Sequence, residues 1–152
     1  MSKSTSLPQT SARAQPENLA ILLREPFRAM NARLLGRLAE RGHPEVRSAH
    51  GNVFQYLDDA GTRVSLLAER AQVTKQAMAQ LVAHLEDHGY VARVADPRDG
   101  RAKLVRATDR GREVFAIARE VVAEIDAQLT ERLGEAKLRR LRALLQELDA
   151  AL

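Results

Sequence analysis

Apolar residues recur every three or four positions along most of this chain, and one short central stretch breaks from that rhythm. From Glu17 to Arg41, Leu22, Phe27, Met30, Leu34, Leu35 and Leu38 fall at helical spacing, which predicts a long first helix. Pro26 interrupts it and, lacking an N–H to bond backwards, either kinks the helix or marks a restart. Gly42-His43-Pro44 is a break. A second helix is expected from about Glu45 to Asp59, carrying Val46, Val53, Phe54 and Leu57 and stopping at Ala60-Gly61.

Two short helices joined by a tight turn follow between Ser65 and Gly89, with Ser65 as the first N-cap and Thr74 as the second. Tyr90 to Ala95 and Arg101 to Ala107 are β-branched and basic, and flank Asp96-Pro97-Arg98-Asp99-Gly100, so they predict a hairpin. Thr108 caps a helix from Asp109 to about Leu133, and Gly134 divides it from a last helix ending near Leu148. Their stripes, Val114, Ile117, Val121, Ile125 and Leu129, then Leu138, Leu141, Leu144, Leu145 and Leu148, exceed what so small a central domain can cover. Subunit pairing with the first helix is the reading preferred over an intramolecular helix pair. The fold class is therefore mainly α with a small β-hairpin. A flexible tail at 1–16 precedes one domain over 17–152, in which 17–60 and 109–152 are helical and include a dimerisation region, and 62–108 form the central unit.

Composition narrows the function classes. The 152 residues suit one small domain rather than a large multi-domain enzyme. Only 3% are aromatic, so Leu, Ala and Val must build the core. Net charge is +4, and all but four of the 24 basic residues are Arg, a bias towards phosphate and base edges that an Arg-rich genome would also give. The absence of Cys excludes disulfides, thiolate zinc sites and thiol oxidant sensing. Neither a signal peptide nor a membrane span is legible, so a cytoplasmic protein is expected.

The candidate chemistry lies at the centre. Turning 100° per residue from Lys75 to Leu85 gathers Ala77, Met78, Leu81, Val82 and Leu85 on one side. Lys75, Gln76, Ala79, Gln80, Ala83 and His84 share the other, where Gln76 and Gln80 can read base edges and small alanines let the backbone approach a major groove. Residues 91–106 hold Arg93, Arg98, Arg101, Lys103 and Arg106 against Asp96 and Asp99. Strand residues two apart point the same way, so Asp99 is expected to pair with Arg101 and hold its guanidinium erect for a minor groove. A solvated helix face and an idle charged hairpin are the plainer alternatives.

The run from Leu66 to Arg112 resembles the helix-turn-helix, wing and following helix start of the MarR family of bacterial regulators, in that order. LAERAQVTKQAMAQLVAHLEDHGYV resembles the family's two DNA-facing helices, and DPRDGRAKLVRATDRG its wing. Less specifically, the likeness extends over about 17–150. It implies a winged helix-turn-helix homodimer, a ligand-responsive repressor associated with the nucleoid, whose recognition helices read pseudo-palindromic half-sites roughly 34 to 36 Å apart or a multiple of that. Matched residue by residue, Thr74, Lys75, Gln76, Gln80 and His84 correspond to recognition-helix contacts, and Arg101 to the minor-groove arginine that Asp99 positions. Arg98 and Lys103 flank it as phosphate contacts, and Ser65 adds one from a helix start. Ala107 stands where the family often has Leu. The resemblance further implies release of DNA when a small molecule, often phenolic or an aromatic acid, enters a cleft for which Met30, Asn31, His50, Phe54 and Tyr56 are the candidate lining.

Other signals carry less. His84 and His88 have metal-ligand spacing, but Leu-Glu-Asp between them is not the motif of a zinc protease, and a histidine near a capped helix end has a structural reason to be there. Asp58-Asp59 lacks any accompanying nucleophile or phosphate loop, so no enzyme, metal or cofactor is expected. The alternative function is a winged-helix protein-interaction module, which predicts an acidic or apolar face where this chain has Lys and Gln.

Overall fold

The computed structural model describes residues 18–152, so the tail expected at 1–16 lies outside the described residues. α1 runs from Leu19 to Glu40, with the Asn18 side chain accepting from the Ala20 N–H as its N-cap. It continues through Pro26 as one helix rather than restarting there. The first half of α1 stands clear of the body: Leu19, Leu22, Leu23, Phe27 and Met30 are exposed, whereas Leu38 is buried.

The second helix is much shorter than its apolar spacing suggests. After an extended turn through Arg47, Ser48–His50 form one 3-10 turn and Gly51–Phe54 form α2. Gly51 and Asn52 are poor helix formers, and the His50 imidazole takes the Arg47 N–H at 2.9 Å, fixing the bend. The apolar residues of this stretch still pack inward, with Val46 and Val53 buried and Phe54 and Leu57 partly so.

α3 spans Val64–Arg70 and α4 spans Lys75–Asp87. The N-cap position of α3 belongs to Arg63, and Ser65 sits exposed within the first turn instead of capping it. The cause lies one residue upstream, where Thr62 exchanges both backbone hydrogen bonds with Val105 at 2.9 Å and leaves the chain no room for a later start. Thr74 does cap α4, accepting from the Ala77 N–H at 3.1 Å. The turn between the helices puts Gln72 at φ 53, and Gly89 at φ 75 ends α4.

β1 (Val91–Asp96) and β2 (Asp99–Ala107) form an antiparallel hairpin, pairing Val91 with Ala107 and closing at Asp96 and Asp99 over Pro97-Arg98, with an irregularity between Ala95 and Asp96. α5 (Asp109–Leu133) begins at Thr108, whose hydroxyl accepts from the Gly111 N–H. Gly134 at φ 85 separates α5 from α6 (Glu135–Ala151), which runs a turn past Leu148. The core gathers Leu38, Val53, Leu67, Met78, Val82, Leu85, Tyr90, Val91, Val105, Val114, Ile117 and Val121.

Two polar assemblies orient the parts. Arg33 and Arg37 of α1, and Arg41 that caps its C-terminus, meet Gln128, Glu124 and Glu120 of α5, with both Arg37 terminal nitrogens on Glu124 at 3.0 and 2.9 Å. At the other end, the buried Tyr90 hydroxyl donates to Glu45 at 2.7 Å, Arg110 donates to both, and the Arg110 guanidinium lies 4.6 Å over the Tyr90 ring. Burial and the bond to Glu45 push the Tyr90 phenol up to about 12, so it stays a neutral donor.

Candidate nucleic-acid interface

α4 buries Met78, Val82 and Leu85, and those three positions fix which way the rest of the helix points. Thr74, Lys75, Gln76, Gln80 and Ala83 are exposed, and Ala79 is partly so. Five of the side chains expected to face DNA therefore do lie on the open side, together with Asp87, which the sequence analysis did not single out.

His84 is placed differently. It turns away from the centre of the open face, where its Nε2 lies 3.0 Å from the Glu45 carbonyl. Its ring stacks on His50 at 4.6 Å between centroids and lies 4.3 Å from His88, whose Nδ1 is 2.8 Å from the His84 carbonyl. Only a geometric account finds this. At 100° per residue His84 falls some 70° from the middle of the exposed arc, and the short 3-10 turn brings His50 to meet it. Among the described residues no group of three or more His, Asp or Glu is arranged to hold a metal ion.

In the hairpin the acidic residues do not serve Arg101 as expected. The Asp99 carboxylate accepts the Arg101 backbone N–H at 3.2 Å, and its other oxygen lies 3.5 Å from Arg63. The buried Asp96 accepts Arg63 twice, at 3.0 and 2.7 Å, and the Arg98 N–H at 2.9 Å. The Arg98 amide and the Arg63 guanidinium hold the Asp96 carboxyl below the usual carboxylate range. Arg63 and Asp96 thus brace the wing from beneath, a role the sequence analysis missed because the two are 33 residues apart.

That brace leaves the upper cations available. Arg98 is 86% exposed and lies 3.8 Å from Asp96. Arg101, Lys103 and Arg106 are exposed and have no ion pair within 4.0 Å among the described residues, whereas Arg93 is bound to Glu86 at 2.9 Å. The chemistry on offer is a helix face with glutamines and small side chains at its centre, Lys75 at one end and Asp87 at the other, beside a hairpin carrying exposed positive charge, which suits a polyanion with readable edges.

The residues expected to line a ligand cleft divide between cavities. Asn31 and Phe54 border a small cavity of about 70 Å³, together with Leu35, Ser48, Val114 and Phe115. Phe54 meets Phe115 edge to face at 5.3 Å, and Asn31 donates to the Ser48 hydroxyl at 2.8 Å at its mouth. Beyond Asn31 and Ser48 a wider depression of about 510 Å³ carries Arg28. Met30 borders separate hollows between α1 and α5, and neither His50 nor Tyr56 borders any of these spaces.

The family model for MarR proteins matches residues 46–102, which hold α3, α4 and most of the hairpin. The HTH-type transcriptional repressor Rv2887 of Mycobacterium tuberculosis is 39% identical over 84 residues, which cover 55% of this chain and 60% of the repressor's own length. The transcriptional regulator HosA of Escherichia coli is 29% identical over 112 residues, covering 74% of this chain and 80% of HosA. Among solved structures, CouR from Rhodococcus jostii RHA1, determined with p-coumaroyl-CoA bound, superposes with a TM-score of 0.68 at 23% identity, covering 90% of this chain and 95% of CouR. Among the described residues no helix is long and apolar enough to cross a membrane. Residues 46–102 thus match the MarR family model, and α3, α4, the hairpin and the flanking helices follow one another in a winged helix-turn-helix fold similar to that of CouR.

Proposed function

We propose that this protein is a sequence-specific DNA-binding transcriptional regulator, a ligand-responsive repressor that binds a pseudo-palindromic operator as a homodimer. The observation that carries the reading is the exposed Lys75, Gln76 and Gln80 face of α4 together with the exposed Arg101 and Lys103 of the wing. α4 enters the major groove and Arg101 the adjacent minor groove, while Arg98, Lys103 and Thr74 bind phosphates. Ser65, exposed in the first turn of α3, is placed to join them.

Two copies pair through the apolar surface that one copy leaves open: Leu22, Leu23 and Phe27 of α1 with Leu141, Leu144 and Leu145 of α6. The effector enters between α1, α2 and α5. There the aromatic walls Phe54 and Phe115, the polar Asn31–Ser48 mouth and the nearby Arg28 suit a flat aromatic acid or a larger anionic conjugate of one. CouR's complex with a coumaroyl thioester supports the larger class.

The test is fluorescence anisotropy of the full chain against duplex from its own upstream intergenic region and against a scrambled duplex, at two salt concentrations. Preference for the native duplex by roughly a thousandfold is expected of a specific regulator. Equal and steeply salt-sensitive binding to both would make the protein a non-specific DNA binder, and binding to neither would favour a protein-interaction module.

A further inference from the structure

Which bases this protein selects is written in the side chains that α4 leaves open. Gln76, Gln80, Ala83 and Asp87 all fall within about 60° of arc at 100° per residue, and all four are exposed. The helix contains no Arg, and its single Lys, Lys75, stands at its first position. His84 is withdrawn by the Glu45 carbonyl and the His50 ring. The central open face therefore lacks the cationic fork that matches the O6 and N7 acceptors of guanine. It offers amides, whose paired donor and acceptor match the N6 and N7 edge of adenine, and methyl groups, which pack on the thymine methyl.

We propose that the half-site read by α4 is built on A·T pairs, with Gln76 and Gln80 each gripping an adenine and Ala83 lying against a thymine methyl. This rests on the reading of α4 as the base-reading helix. Four residues of helix advance about 6 Å. Base pairs stack about 3.4 Å apart, so the two adenine contacts fall about two base-pair steps from each other. Asp87 sets the direction of insertion: a carboxylate at the C-terminal end of the face is repelled by phosphate, so the N-terminal half of α4 goes deepest. Lys75, at that deep end, is left for a flanking guanine or a phosphate. The wing adds to the same preference, because A·T tracts narrow the minor groove and concentrate the negative potential that attracts an arginine such as Arg101.

The experiment is selection of a centrally randomised duplex library on the purified full chain, followed by affinity measurements on the winning sequence. Selected half-sites should carry A·T pairs at two positions about two steps apart. Gln80→Ala should lose roughly tenfold to a hundredfold on that duplex and lose its base preference at one of the two positions. Replacing the contacted adenine with 7-deazaadenine should cost roughly fivefold in the unaltered protein and nothing in Gln80→Ala. Replacing the contacted thymine with uracil should cost roughly threefold, the value of one buried methyl. Enrichment of a defined sequence with G·C pairs at those positions, or a preference unchanged in Gln80→Ala, overturns the assignment while leaving the regulator intact. Failure to enrich any sequence removes the regulator reading and this assignment together.

Discussion

Arg101 owes its freedom to Arg63. Because Arg63 occupies the Asp96 carboxylate and reaches Asp99, neither acid near the wing tip holds the Arg101 guanidinium, and only its backbone is fixed. Arg101→Ala should weaken operator binding severalfold or more in anisotropy, with a melting temperature close to that of the parent, since exposed substitutions typically stay within about 0.5 kcal/mol. Unchanged affinity would take the wing tip out of the mechanism. Asp96→Asn is the contrasting case. It removes a buried anion facing Arg63 and should raise amide hydrogen exchange throughout the hairpin, because the brace is broken while the tip cations remain. His50 yields a third expectation. Burial, with the neighbouring His84, Arg47 and His88, lowers its pKa from 6.5 to about 4, so the unfolded chain binds the proton more readily than the folded one. Its contribution to stability is then complete above about pH 6.5 and is lost as pH falls towards 4, in proportion to the protons taken up on unfolding. Urea denaturation across that range should show the decline, and His50→Asn should flatten it.

At the scale of elements, what fixes α4 is its two ends and the strand that follows. Thr74→Ala removes the hydroxyl that accepts the Ala77 N–H and should cost about 1 kcal/mol in chemical denaturation. Gly111 shows how closely α5 is set on the residue that leads into β1: a Cβ there would collide with the Tyr90 carbonyl oxygen, a contact with backbone that no rotamer change relieves. Gly111→Ala should destabilise by about 1 to 3 kcal/mol or more, measured by the same unfolding curves. These elements also show how far a sequence can be read. α4, the hairpin, the Thr108 cap and the Gly134 break are legible because local chemistry specifies each: a hydroxyl before a helix, a proline in a turn, a glycine at positive φ. The stretch from Glu45 to Asp59 is not legible in the same way. Its apolar spacing marks the core positions correctly, but the His50 ring on the Arg47 amide shortens the helix, and no periodicity reports a side chain bonding to backbone. The Thr62–Val105 bridge that displaces Ser65 from its expected cap, and the contacts that draw His84 aside, are tertiary for the same reason.

At the scale of the whole molecule, apolar side chains sort by distance from the central core. Along α5, Val114, Ile117 and Val121 are buried, whereas beyond the break only Leu138 of α6 is, and Leu141, Leu144 and Leu145 are open. Exposed apolar area of that extent on both terminal helices is what a subunit interface supplies and covers. A chain ending at Leu133 should sediment as a monomer or aggregate, and a soluble dimer of that length would move the interface elsewhere. The imidazole stack joins the residues beside α1 to α4. His50 lies between Ser48 and Gly51, two residues that wall the small cavity beside α1, and its ring rests on His84 of α4. The cavity wall and α4 therefore meet through one pair of stacked rings, so a compound that displaced residues 48–51 would disturb the packing of α4 as well. On the proposed function, thermodynamic reciprocity would set DNA and effector against each other: by whatever factor the compound loosens DNA, saturating DNA loosens the compound by the same factor.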